Sequence, residues 1–285
     1  MLVRDSAQIL RRPARRLVAV ALATATLATL ASCGSSSDDS ASPSTASATT
    51  SSTSDTAADL AGRYGHYDVV AYESSDMKNL IISYGFTDLS EKDGKLIAHE
   101  SFCHAEQRSD QPIETSISDA ATSAIKPIPV EVDVTEQGGR VHLHRPETPT
   151  GVGIHLEDPA NDELPTDPAD PRIADDDHDG KPGITVHVKV TDELQGDLYI
   201  ARRERFAYDL ISQDDKSLTG YVTDNSEQLI VGATDPMFVT RAEWKQVPDK
   251  SKSPMVLVPV DEDWDCEKLM ASADDIFPPI PGVDW

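Results

Sequence analysis

From about residue 60 onward, apolar and polar positions alternate with a period of two, the signature of half-buried β-strands. Leu80, Ile82, Tyr84 and Phe86 alternate with Ile81, Ser83, Gly85 and Thr87. Lys92-Asp93-Gly94 then offers a tight turn, and residues 96–105 read as the returning strand. Val130, Val132 and Val134 are interleaved with Glu131 and Asp133, and Gly138-Gly139 turns that strand into residues 140–144. Further strands are expected at 151–156, 185–190, 196–210, 218–223, 228–233 and 255–260. Asp224-Asn225-Ser226, between two of these runs, reads as a third hairpin turn. The one helical signal is 116–124, with Ser118 or Asp119 as cap and Pro127 beyond its end. Roughly nine or ten short strands joined by turns must hide their edges, which favours an antiparallel β-barrel or strongly curved sheet, lipocalin-like in outline, over a β-sandwich.

The first 60 residues break this pattern. Arg4, Arg11, Arg12, Arg15 and Arg16 precede an apolar run at 17–30, which has the length of a signal-peptide core and is short for a membrane span. The run ends in Leu30-Ala31-Ser32-Cys33, which resembles a bacterial lipobox. That resemblance implies a lipoprotein signal peptide at 1–32, a lipidated (palmitate-bearing) Cys33, and anchorage on the extracytoplasmic face of the cell membrane. Residues 33–59 are almost entirely small and polar, as expected of a disordered tether. One β-rich domain is then expected over 60–285.

Removing the signal sharpens the charge. Of 50 acidic and 25 basic residues, the first 32 hold one Asp and five Arg, leaving 49 against 20. So acidic a chain argues against nucleic acid as a partner. Two cysteines remain, Cys103 and Cys266, and an oxidising compartment pairs them as a disulfide.

Asp175-Asp176-Asp177-His178-Asp179-Gly180-Lys181 is the one stretch whose spacing points to specific chemistry. Alternate residues of a tight loop converge, so Asp175, Asp177 and Asp179 can share a hard cation, with Lys181 as a fourth candidate position. Gly180 permits the sharp turn. The pattern resembles the acidic half of an EF-hand loop and the loops of dockerin and thrombospondin type 3 repeats, implying structural calcium. It departs from the EF-hand where the bidentate Glu belongs: that position is Val186. The missing ligands are expected from Asp167, Asp170, Asp192 or Glu193. Together with Thr166 to Arg172, Leu198 to Arg203 and Gln228 to Ala233, the loop resembles a family of uncharacterised secreted bacterial proteins, which implies no activity.

Other candidates are weaker. His142 and His144 share one face of a strand, and His155 can join them in a transition-metal site. Arg202 and Glu204 interrupt the apolar face Leu198, Ile200, Phe206, Tyr208. Either they sit in a barrel interior, where Arg202 meets Glu204 or an anionic ligand, or a bulge turns both to solvent. Nucleophile elbows, H-E-x-x-H, P-loops and dinucleotide turns are missing from the sequence, and it nominates no catalytic residue. The expectation is a non-enzymatic lipoprotein with a structural calcium loop. A barrel carrier of a small apolar or anionic ligand is the second reading, and a calcium-dependent hydrolase the third.

Overall fold

The structure, a computed structural model, describes residues 53–239 and 244–285. The signal peptide, Cys33 and the tether up to residue 52 lie outside the described residues. The elements run α1 (Thr53–Leu60), β1 (Gly62–Glu73), β2 (Lys78–Lys92), β3 (Lys95–Ser109), β4 (Glu114–Ile117), α2 (Asp119–Ala124), β5 (Val130–Gln137), β6 (Arg140–Arg145) and β7 (Thr150–Val152). After a long loop come β8 (Ile184–Lys189), β9 (Gln195–Glu204), β10 (Phe206–Ser212), β11 (Leu218–Asp224), β12 (Glu227–Ala233), β13 (Lys245–Gln246), β14 (Pro254–Pro259) and α3 (Cys266–Ile276).

Eight antiparallel strands close into a barrel: β1-β2-β3-β5-β6-β10-β11-β14 and back to β1. The fifteen-residue β3 is long enough to serve two neighbours. Its first half closes the barrel through Leu96↔Val132, while its second half pairs with β4 at Glu106↔Ser116. From β4 the sheet continues as a wing, β8-β9-β12, with β7 also on β9. The wing and the barrel share one long hairpin. Residues 195–212 run beside 218–233, so that β10/β11 belong to the barrel and β9/β12 to the wing.

This corrects the expected third hairpin. Asp224-Asn225-Ser226 does not reverse the chain, because β11 pairs with β10 and β12 with β9. The Asp224 carboxylate accepts the Ser226 amide at 3.0 Å, and Asn225 N–H bonds Arg205 O at 2.8 Å. The local turn chemistry is satisfied without a change of direction. Likewise the expected strand at 196–210 is interrupted at Arg205, where it passes from wing to barrel.

The turn at Asp93-Gly94 has the positive φ values (55° and 78°) of the tight hairpin turn read from the sequence. In α2 the Ser118 side chain accepts the Ala121 amide, as an N-cap should. Two further α-helices stand beside the one expected from the sequence. α1 buries Ala57 and Leu60 in the barrel's apolar cluster, so the folded domain begins inside the expected tether. α3, capped by Asp265, packs Leu269 with Phe277 against Tyr67, Val69 and Ile82 on the outer face of β1 and β2. The C-terminal Ile280, Val283 and Trp285 join that outer cluster. Cys103 and Cys266 form the expected disulfide, which ties β3 to the start of α3. A loop of this length contributes about 5 kcal/mol in the chain-entropy picture.

β1 is therefore buried on both faces: Tyr64, His66, Asp68, Val70 and Tyr72 alternate with Tyr67, Val69 and Ala71 under α3. One end of the interior is plugged by Leu89, Leu96, Leu143, Leu210, Leu218 and Met255.

Candidate functional site

The opposite end of the interior is not filled. A cavity of about 140 Å³ lies where the wing leaves the barrel. Its apolar wall comes from Val70 on β1, Ile81 on β2, Phe102 on β3, Ile117 on β4, Ile184 and Val186 on β8, Ile200 on β9 and Val222 on β11. The period of two explains the choice of residues: each is the inward member of its strand. A void of roughly 150 Å³ with apolar walls accommodates a benzene-sized guest.

One side of this cavity is ionic. Arg202 and Glu204 both line it, 2.7 Å apart, with side chains only 18% and 17% exposed. Solvent-facing orientation through a bulge is thereby ruled out. Arg202 also reaches Asp224 Oδ2 at 3.3 Å, and the Tyr72 hydroxyl donates to the same oxygen. Ser226 Oγ bridges Asp224 Oδ1 and Glu204 Oε2. Burial pushes the Asp224 carboxyl up to about 6; hydrogen bonds from Ser226 oppose the rise and the Asp68 charge adds to it. Asp68, another lining residue, meets His66 Nε2 at 2.9 Å, and His66 Nδ1 lies 2.8 Å from the Thr87 hydroxyl. Sequence reasoning missed Asp68 and took Asp224 for a turn residue.

Between cavity and plug stands a closed floor. Arg145 Nε donates to Glu100 Oε1 at 2.8 Å, both side chains fully buried. Arg145 Nη1 donates to Phe206 O at 2.7 Å and Pro146 O at 3.0 Å, and its guanidinium lies 4.1 Å from the Phe206 ring centre. The Tyr208 hydroxyl donates to Glu100 at 3.2 Å. Burial, reinforced by Glu100, holds that phenol well above its ordinary value.

The acid loop lies behind β8, outside the cavity. Asp175 accepts the Asp179 and Gly180 amides at 3.0 Å each, Asp177 Oδ2 accepts Thr185 N–H at 3.0 Å, and Asp179 accepts Lys181 N–H at 2.7 Å. Gly180 and Gly183 have φ of 82° and 80°. At Gly183 the backbone packs so tightly on β9 that a Cβ would fall 2.2 Å from Ile200 O. Ligand oxygens of Asp175, Asp177 and Asp179 lie within 4.8 Å of one another, and this cluster could hold a metal ion. Asp177 Oδ1 is shielded from solvent and has no partner among the described residues. Burial raises the Asp177 carboxyl, and the Asp179 charge contributes in the same direction.

The expected extra ligands are engaged elsewhere. Asp170 holds Arg172 at 3.0 Å, Asp167 caps Ala169, Asp192 pairs with Lys189, and Glu193 meets Thr191. Val186, at the EF-hand's glutamate position, lines the cavity. The three histidines are not brought together. His142 and His144 line a shallow outer groove of about 630 Å³, with His144 held by Asp209 at 2.8 Å, while His155 faces Asp176 at 3.4 Å. The alternation of β6 explains this: Leu143 and Arg145 point inward, so the histidines point out.

No protein-family model, curated protein or solved structure matches the chain.

Proposed function

We propose that the protein is an extracytoplasmic binding protein, non-enzymatic and held to the membrane through lipid on Cys33, whose barrel carries a small ligand in the cavity beneath the wing. The observation that carries this reading is the contrast within one interior. One end is packed solid, while the other keeps a cavity with apolar walls and a converging ionic cluster, the usual composition of a small-molecule site. A filled interior would have served stability better, since each void forfeits contacts. The acid loop supports a structural role for calcium: it bonds Thr185 on β8, whose neighbours Ile184 and Val186 form the cavity wall. With few protein ligands, its affinity for calcium falls on the order of 0.1–1 mM.

Ligand-observed NMR with a set of monocyclic aromatic probes of different charge tests the carrier reading. Wild-type protein should bind at least one probe, and Ile200→Trp, which fills the cavity, should bind none while melting as a folded barrel. Binding unchanged by the filling, or absent from wild type, contradicts the reading. Mass spectrometry of the mature N-terminus tests the anchor: diacylglycerol on Cys33 is expected, and an unmodified or internal N-terminus opposes it.

A further inference from the structure

The charges facing the cavity are not balanced. Asp68 from β1, Glu204 from β9 and Asp224 from β11 face a single cation, Arg202, and every other lining side chain is uncharged. Arg202 is already committed to Glu204 at 2.7 Å and Asp224 at 3.3 Å. Asp68 is held by His66 through Oδ1 only; its Oδ2 accepts no hydrogen bond among the described residues. An arriving anion would find its one countercharge occupied and two acids close by. An arriving cation would find an excess of carboxylate oxygen at the edge of an apolar chamber, where low polarisability strengthens the pairing.

We propose that the ligand is a small organic amine, with its ammonium between Asp68 and Asp224 and its apolar body against Val70, Phe102, Ile200 and Val222. This rests on reading the cavity as a ligand site and specifies its occupant. A bare metal ion is a poorer match. Among the described residues, the only group of three ligating side chains with converging atoms is the acid loop, outside this cavity. The walls are aliphatic and aromatic, which suits a carbon skeleton and leaves a hydrated ion unsatisfied.

The geometry also makes binding pH-dependent. Asp224 is faced by Arg202 and Glu204 from β9, Tyr72 and Asp68 from β1, with His66 behind Asp68; Gln246 of β13 contacts only its backbone. Burial places its protonation near pH 6, so acidification removes one of the paired charges.

Three probes of one size decide the matter: benzylamine, benzyl alcohol and benzoate, titrated into the folded protein at pH 7.5. Benzylamine should bind about tenfold tighter than benzyl alcohol, with benzoate weakest, as expected when a desolvated charge finds its countercharge. Its affinity should fall by up to about tenfold at pH 5, where a carboxyl titrating near 6 is mostly protonated. Asp68→Asn and Asp224→Asn should each erase the preference for the amine. Asp209→Asn on the outer face should leave it intact. Benzoate binding as tightly as the amine, or an amine preference that survives both cavity substitutions, overturns the assignment while leaving the cavity a ligand site. Failure of all three probes removes both readings together.

Discussion

Two ion clusters occupy the interior, one above the other. In the floor, Arg145 and Glu100 are matched one to one, fully buried, and ringed by Phe206, Tyr208 and backbone carbonyls. In the cavity, Arg202 serves Glu204 and Asp224, Asp68 stands nearby with a carboxylate oxygen free among the described residues, and the Arg202 and Glu204 side chains remain about a sixth exposed at 18% and 17%. The same residue types thus serve different ends. The floor pair is balanced in charge and sealed from solvent, with Glu100 Oε2 and Arg145 Nη2 unpartnered among the described residues, and it leaves no space for a ligand. An unbalanced cluster with space before it is costly for the fold and open to an incoming group.

The sharpest way to break this comparison is to truncate the floor. Arg145→Met strands Glu100 in the interior and should cost about 3–5 kcal/mol in urea unfolding, whereas Arg145→Met combined with Glu100→Met should restore much of the loss. A cost under 1 kcal/mol for the single change would mean that the floor is wet.

Next in size is the response of the cavity cluster to pH. The folded-state value of Asp224, about 6, lies above its unfolded value of 3.8, so the native state binds the extra proton between them. This group's contribution therefore falls as pH rises from about 4 to about 6, by on the order of 3 kcal/mol. Asp224→Asn should remove that slope from the difference between variant and wild-type profiles. Parallel profiles would place Asp224 in water.

A third experiment acts on the acid loop behind the cavity wall. Calcium at 10 mM should stabilise the protein by about 1–3 kcal/mol if its dissociation constant is on the order of 0.1–1 mM. Thermal melts with calcium and with chelator measure this, and Asp177→Asn/Asp179→Asn should abolish the difference. The smallest effect is expected from Arg202→Met, about 1 kcal/mol, because Glu204 is partly exposed and the buried Asp224 can take up a proton. A loss as large as that at Arg145 would erase the distinction between floor and cavity.

The strands were legible where large apolar residues alternate with small or polar ones. Val130 to Val134 does so because one face is exposed, and Leu80 to Phe86 does so, although α3 covers its outer face, because Ser83, Gly85 and Thr87 stand on the other. β1 was not, because α3 covers its outer face and both sets of alternate residues are buried. α3 carries a usable signal: Asp265 as cap, then Leu269, Met270, Ala273 and Ile276 at helical spacing. The acid loop's convergence was readable because its three acids are local, whereas the cavity cluster joins Asp68 to Arg202 and Asp224 across strands that only the barrel brings together. Arg202 and Glu204 stood out as charges on an apolar face. Asp68, between Tyr67 and Val69 in a buried strand, carried the same signal in a strand whose pattern hid it.

The contrast between floor and cavity is measured most directly by methyl NMR of the isoleucine- and leucine-labelled protein during titration with benzylamine. Shifts should move at Ile81, Ile117, Ile184 and Ile200, which line the cavity, while Leu96, Leu143, Leu210 and Leu218 in the plug stay fixed. Equal movement at both ends, or movement confined to surface methyls, would contradict a barrel built with one sealed end and one end for a ligand.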